Sequence, residues 1–241
     1  MMSSLKNRWE LESYTKLLGK HKGESAFVIG SGTSLSDLNL SPIHDHVVIT
    51  VNSSIMLMPS YWRDGSPDKR YWISNDAYCL QWSYWEFVKH ACATKIVRES
   101  WRSHFKQVQG FLQFQRRPTP EHIINPIDQG LAYCSSVPSA TDLALQMGCK
   151  KVFLLGVDHY QKDGKTYFWQ VWDKEKPKRL TGRMALWDHQ KITFAYNEKA
   201  YEALNKFANH LGAKIYNCNE QSLVNSLPKI SFLNALERIG K

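Results

Sequence analysis

Ser25-Ala-Phe-Val-Ile-Gly-Ser-Gly-Thr-Ser34 decides how the rest of the chain is read. Its first half is an apolar run that stops at a glycine. A parallel strand buried on both faces has that pattern, because neither side alternates toward water. Ser31-Gly-Thr-Ser-Leu35 then reads as a tight turn, and Ser36 to Leu40 as the start of a short helix. Working outward, Val47-Val-Ile-Thr-Val51 is a β-branched strand ending at Asn52, and Arg70-Tyr-Trp-Ile-Ser74 is another ending at Asn75-Asp76. Gln81 to His90 reads as a helix and Thr94 to Val97 as a fourth strand. Residues 100 to 133 show no usable period. Pro138 to Met147 reads as a helix, with proline near its first turn and Gly148 as its C-terminal cap. Lys151-Val-Phe-Leu-Leu155 is a further strand, ending at Gly156-Val-Asp158. Asn197 to Leu211 carries Ala200, Leu204, Phe207 and Leu211 at helical spacing, Gly212 caps it, and Lys214-Ile-Tyr216 starts a last strand.

The two ends of the chain read as helices. Residues 1 to 22 form a polar amphipathic segment with Trp9, Leu11, Tyr14, Leu17 and Leu18 as its apolar members. Lys229 to Gly240 is a short basic amphipathic helix, expected to pack on the body, with weak membrane-surface contact as the alternative. Strands alternating with helices give an α/β fold, a Rossmann-like, mainly parallel sheet with helices on both faces. One domain is expected over residues 1–241. Residues 161–192 are polar, basic and tryptophan-bearing, and read as a lid excursion from it.

Composition narrows the function classes. A hydrophobic fraction of 43% suits one buried core. No apolar run approaches the roughly 18 to 20 residues of a membrane helix. Met1 to Glu10 is polar and lacks an apolar signal core, so a cytoplasmic protein is expected. The five cysteines form no C-x-x-C pair and read as reduced thiols. The formal charge of +9 favours anionic partners. The basic residues are scattered, and the densest cluster, Lys174 to Arg179, contains Glu175, so nucleic acid is not the expected partner. The nine tryptophans read mostly as core or lid packing.

Ligands of open parallel sheets bind beyond the carboxyl ends of the strands. Those ends here are Gly30-Ser31-Gly32-Thr33-Ser34, Asn52-Ser53, Asn75-Asp76 and Gly156-Val157-Asp158-His159-Tyr160, and they supply the expected substrate-binding set. Gly30 and Gly32 permit close backbone approach. The N–H groups and the hydroxyls of Ser31, Thr33 and Ser34 would then face an anion at a helix N-terminus. The alternative is an ordinary strand-to-helix turn capped by Ser34. The stretch is neither G-x-G-x-x-G, since Leu35 stands at the third glycine position, nor a P-loop, since no Gly-Lys-Ser/Thr follows. Asn52 and Asn75 could read a base or sugar through their amides, or serve only turn chemistry.

These pieces together resemble the bacterial sialyltransferases that cap lipooligosaccharides, and the related family that includes flagellar motility accessory glycosyltransferases. Val28-Ile-Gly-Ser-Gly-Thr-Ser-Leu35 is similar to the family's glycine-rich loop, Val48-Ile-Thr-Val-Asn52 to its second strand, and Ser135-Ser136 with Ala144 to Gly148 and Val152 to Tyr160 to its most specific block. The likeness continues through Gly164 to Tyr167, Lys214-Ile-Tyr216 and Ser222-Leu223, about two thirds of the chain in all. It implies a CMP-sugar donor held without a metal cofactor. Gly30, Ser31, Gly32 and Ser34 would lie along the nucleotide, and Asn52 and Asn75 would contact nucleotide and donor sugar. Ser135 and Ser136 would touch donor hydroxyls or carboxylate. Tyr160 and Tyr167 would hydrogen-bond the departing phosphate, as donors aimed at growing negative charge do.

The family's general-base histidine falls at Ala195 here, beside Tyr196, and His189 is the nearest histidine. His159 is an alternative base, although it replaces a family aromatic, which makes packing its default role. The first reading is therefore a metal-independent inverting glycosyltransferase, with a nucleotide-sugar donor and a glycan or lipid-linked acceptor. A second is a magnesium-dependent pyrophosphokinase resembling the archaeal pterin enzymes, with Asp76 and Asp158 holding the cation. A third is a nucleotide-binding protein without catalysis, favoured by Ala195. The oligomeric state, monomer or homo-oligomer, stays open.

Overall fold

The computed structural model describes residues 11–58, 67–116, 130–132, 135–172 and 187–239. Eight strands form one sheet: β1 (Glu12–Ser13), β2 (Ser25–Ile29), β3 (Val47–Val51), β4 (Arg70–Ser74), β5 (Thr94–Arg98), β6 (Leu112–Phe114), β7 (Lys151–Leu155) and β8 (Lys214–Asn217). Their spatial order is β1-β6-β5-β4-β3-β2-β7-β8, and every pair is parallel. The helices are α1 (Trp85–His90), α2 (Ser136–Gln146), α3 (Phe168–Trp172), α4 (Trp187–His210) and α5 (Phe232–Ile239), with short 3-10 turns between them.

Alternate residues of each strand face different cores. Ala26 and Val28 of β2, with Ile49 and Ile73, pack under Ala140, Leu143 and Ala144 of α2 and Tyr201, Leu204 and Phe207 of α4. Phe27 and Ile29, with Trp72 and Phe153, pack under Trp85 of α1, Phe168 and Trp169 of α3, and Ala235 of α5. All five residues of β2, β3 and β4 are buried, which accounts for the apolar stretches at 26–29, 47–49 and 71–73 within them. The second core is aromatic: Trp72, Trp85 and Trp101 meet edge-on or tilted with centroids 6.1 to 6.3 Å apart. Trp9, Trp62, the side chain of Trp187 and the Lys174 to Arg179 cluster lie outside what is described. Among the described residues no helix is long and apolar enough to cross a membrane.

From β2 the chain leaves toward β3 on one side, and from β7 toward β8 on the other. The boundary between β2 and β7 is thus the switch point of the sheet, and the ligand crevice of such a sheet is expected outside their carboxyl ends.

Several expected elements differ. The N-terminal helix is absent from its described part. Glu12–Ser13 pairs with the sheet edge, and Tyr14–Leu17 is one 3-10 turn with Tyr14 and Leu17 buried. Gly19 and Gly23, at φ +68° and +86°, prevent the turn from propagating. The expected helix at Ser36 to Leu40 is instead a single 3-10 turn at Thr33–Leu35. The helix expected from Gln81 begins only at Trp85, after a 3-10 turn whose Tyr78 N–H is capped by Asp76. The expected 161–192 excursion divides into two helical pieces on either side of 173–186, which are outside the described residues. Residues 168–172 form α3 on the core, and residues 187–192 belong to α4, which starts ten residues before the expected Asn197. The C-terminal helix packs on the body through Ala235, as its default reading required.

Candidate active site at the sheet switch point

The loops after β2 and β7 lie against each other. Gly30 N–H donates to the Leu155 carbonyl at 2.8 Å, and Gly32 N–H to the Gly156 carbonyl at 2.9 Å. A Cβ on Gly30 would stand 2.5 Å from the Gly156 oxygen, and one on Gly32 would stand 2.8 Å from it. Gly156 itself sits at φ +65° against Leu35. The glycines thus serve loop-on-loop contact.

Asp158 decides what the loop can bind. Its carboxylate is buried and accepts Ser34 N–H at 2.9 Å, Ser34 Oγ at 2.5 Å, Thr33 Oγ1 at 3.3 Å and Asn219 Nδ2 at 2.8 Å. Four donors match the four lone-pair sites of a carboxylate. The anion expected at the Gly32–Ser34 turn is therefore supplied by the chain itself. The donors of Thr33 and Ser34, expected to face a ligand, are turned inward. Magnesium coordination by Asp158, as the phosphotransferase reading expected, would require breaking that set. Asp76 is likewise engaged, accepting Tyr78 N–H at 2.9 Å.

The other wall joins the ends of β3 and β4 to the N-terminus of α2. Asn75 N–H donates to Ser136 Oγ at 2.9 Å, Asn75 Nδ2 to Ser139 Oγ at 3.0 Å, and Ser136 Oγ approaches Asn52 Oδ1 at 3.5 Å. Asn52 is left-handed, at φ +52°, and its carbonyl accepts Trp72 Nε1–H at 3.0 Å. Ser139 spends its hydrogen on the Ala132 carbonyl at 2.6 Å, which fixes the orientation of the Asn75 amide. Asn75 Oδ1 is then buried without a donor. Ser135 makes no side-chain cap at the start of α2. Ser31 Oγ lies 3.2 Å from Ser53 Oγ.

Residues 160–170 fold back over this crevice. Asp163 and Gly164, at φ +52° and +72°, make a two-residue reversal between Lys162 and Lys165, as an Asp-Gly pair favours. The returning arm bridges Tyr167 to Gly32, and Phe168 N–H donates to the Ser31 carbonyl at 3.0 Å. Tyr167 stacks on Trp169, with centroids 5.3 Å apart. Tyr160 Oη receives Asn219 Nδ2–H at 3.4 Å. Tyr167 is thereby tied to the loop after β2, and Tyr160 to the segment after β8.

The candidate bases separate. His159, left-handed at φ +59°, stacks on Phe194 of α4 with centroids 4.3 Å apart. Burial pushes its imidazole down to about 4, so it is neutral at pH 7 and acts as a packed aromatic. His189 falls in the first turn of α4, not in a lid, and its side chain lies outside the described set. Its backbone is about 7.5 Å along the helix axis from Phe194. Ala195 and Tyr196 are exposed on the same helix.

Sequence reasoning missed Asn219 and Asn217, and quoted Ser222 in the resemblance without giving it a role. Asn217 is fully buried, and its Nδ2 donates to the Val157 carbonyl and to Ser222 Oγ, both at 2.9 Å. The available signal was three small polar residues at a strand end, Asn217 closing β8 and Asn219 and Ser222 just past it.

No known family profile matches the chain, and no curated protein does. Two solved structures share its fold. One is the MAf glycosyltransferase of Magnetospirillum magneticum AMB-1, at 14% identity and TM-score 0.54, over 91% of this chain. The match spans 37% of that protein's length. The other is the sialyltransferase CstII of Campylobacter jejuni in complex with the substrate analogue cytidine-5'-monophosphate, at 13% identity and TM-score 0.51, covering 87% of this chain and 86% of that one. Both belong to the families that the sequence resembles, and at these identities the likeness is one of fold.

Proposed function

We propose that the chain is a metal-independent, inverting glycosyltransferase that takes its sugar from a CMP-activated donor. The observation that carries this reading is the folded-back segment, which ties Tyr167 to Gly32 and holds Tyr160 beside Asp158 through Asn219. A nucleotide monophosphate leaving group needs donors at its phosphate, and two phenols supply them without a cation. The saturated carboxylate of Asp158 supports the same reading, since it leaves no lone pair for magnesium. The CMP complex of the Campylobacter sialyltransferase, on the same fold, supports cytidine as the base.

In the proposed step an acceptor hydroxyl oxygen attacks the anomeric carbon of the donor sugar. The bond from that carbon to the phosphate oxygen breaks, and CMP departs with the electron pair while Tyr160 and Tyr167 donate to its oxygens. The acceptor proton goes to a base, for which His189 is the candidate in this chain. Gly30, Ser31, Gly32 and Asn52 would flank the nucleotide, and Asn75, Ser135 and Ser136 the donor sugar. The acceptor is a glycan or lipid-linked glycan.

The test is release of CMP from a CMP-activated sialic acid in EDTA, with and without oligosaccharide acceptors. Turnover in EDTA that falls about 100-fold in Tyr160→Phe and in Tyr167→Phe is expected. Activity that requires magnesium would overturn the reading. Ala195, at the position where the resemblance implies the base, favours a second reading, a nucleotide-binding protein without catalysis. CMP binding with no CMP release would establish it.

A further inference from the structure

Asn219 belongs to none of the motifs that carry the resemblance, yet it touches both Asp158 and Tyr160 in the loop after β7. It follows β8, and its side chain is half-buried. One Nδ2 hydrogen goes to Asp158 Oδ1 at 2.8 Å, and the other faces Tyr160 Oη at 3.4 Å. Its Oδ1 accepts the N–H of Gln221 at 3.0 Å, closing a turn of the kind that asparagine makes two residues on. The amide cannot be flipped. A flip would set its oxygen against a carboxylate that only accepts, and its NH2 against a backbone N–H that only donates.

The direction of these bonds has a consequence at Tyr160. A phenol oxygen both donates and accepts. Because Asn219 donates to it, the Tyr160 hydrogen is left for a different acceptor. Asp158 Oδ1, which would otherwise compete for that hydrogen, already receives Ser34 Oγ and Asn219 Nδ2. The long 3.4 Å contact leaves the ring room to settle as a ligand arrives, as catalytic hydrogen bonds do when they tighten in a complex.

We propose that Asn219 is a positioning residue: it donates to the Tyr160 oxygen and thereby commits the Tyr160 hydrogen to the departing phosphate. The inference rests on the proposed function for the role of Tyr160. The orientation of Tyr160 by Asn219 can be measured without that function.

The experiment uses the full chain carrying tyrosine labelled with carbon-13 at Cζ, with Asn219→Ala and Asn219→Ser. Serine keeps an acceptor for the Gln221 N–H, so it preserves the turn while removing the Nδ2 donor to Tyr160 and to Asp158 Oδ1; the Tyr160→Phe background separates the two. Tyr160→Phe identifies the Tyr160 resonance among those of the eleven tyrosines. Both Asn219 variants are expected to shift the Tyr160 resonance in the ligand-free protein. Both are expected to lower kcat for CMP release about tenfold with KM for the donor within about twofold, and to have no further effect once Tyr160 is phenylalanine, since residues acting through one another are not additive. An unmoved Tyr160 resonance would overturn the proposal. So would an equal kcat loss in the Tyr160→Phe background, or full activity in Asn219→Ser beside a defective Asn219→Ala, which would trace the effect to the turn. If the wild-type chain releases no CMP, the proposed function falls, and the resonance still decides whether Asn219 orients Tyr160.

Discussion

Replacing Asp158 with asparagine keeps the size of the side chain and removes its charge and one acceptor oxygen. Around that carboxylate stand Ser34 N–H, Ser34 Oγ, Thr33 Oγ1 and Asn219 Nδ2. The two hydroxyls can turn and accept from an amide. The backbone N–H of Ser34 and the amide of Asn219 cannot. They sit on different carboxylate oxygens, so either orientation of the new amide sets its NH2 against one of them. One charge-assisted bond is lost outright, a buried donor is left facing a donor, and the remaining bonds become neutral. Losing one such bond and stranding one donor costs about 3 kcal/mol. For a chain of this size that is a fall in Tm of about 6–12 °C. Urea unfolding followed by tryptophan fluorescence measures it directly, with the slope m checked for constancy. If Asp158→Asn unfolds within about 0.5 kcal/mol of the wild type, the carboxylate does not hold the loop, and the reasoning is refuted.

Gly30→Ala should destabilise by about 3 kcal/mol, because the new Cβ meets the Gly156 backbone, which has no rotamer to yield; an unchanged urea midpoint would contradict that packing. His159 gives a pH signature. Its folded pKa of about 4 lies below the ordinary 6.5, so the unfolded chain takes up a proton first, and stability is lost as pH falls from about 6.5 to about 4. The loss reaches about 3 kcal/mol, and His159→Phe should flatten it. The strain of phenylalanine at φ +59° offsets the whole curve without altering its slope, so urea midpoints at pH 7 and pH 4.5 separate the two effects.

Strands β2, β3, β4 and β7 were legible because burial on both faces leaves apolar stretches, and the α2 helix because Pro138 and Gly148 punctuate it; β1 and β6, two and three residues long, were not. The 3-10 turns at Tyr14–Leu17 and Thr33–Leu35 were not, since three or four residues carry no period. The early start of α4 was hidden because its described residues from Lys191 to Tyr196 are mostly exposed and bear no apolar stripe. At the site, the strand-end rule found the right segments, but it could not tell which donors face a ligand. The bonds that turn Ser34 inward join residues 124 apart in sequence, and nothing local in either stretch records them. The Asp163-Gly164 reversal was written in the sequence, as a dipeptide suited to two successive left-handed residues, and was overlooked inside an expected lid.

Calorimetric titration of the chain with CMP, GTP and ATP, each in EDTA and again in magnesium, tests the central claim most directly. The account predicts that CMP binds most tightly and with the same Kd in both buffers. A triphosphate that binds more tightly and only with magnesium would contradict it, and would require Asp158 to leave Ser34 for the cation.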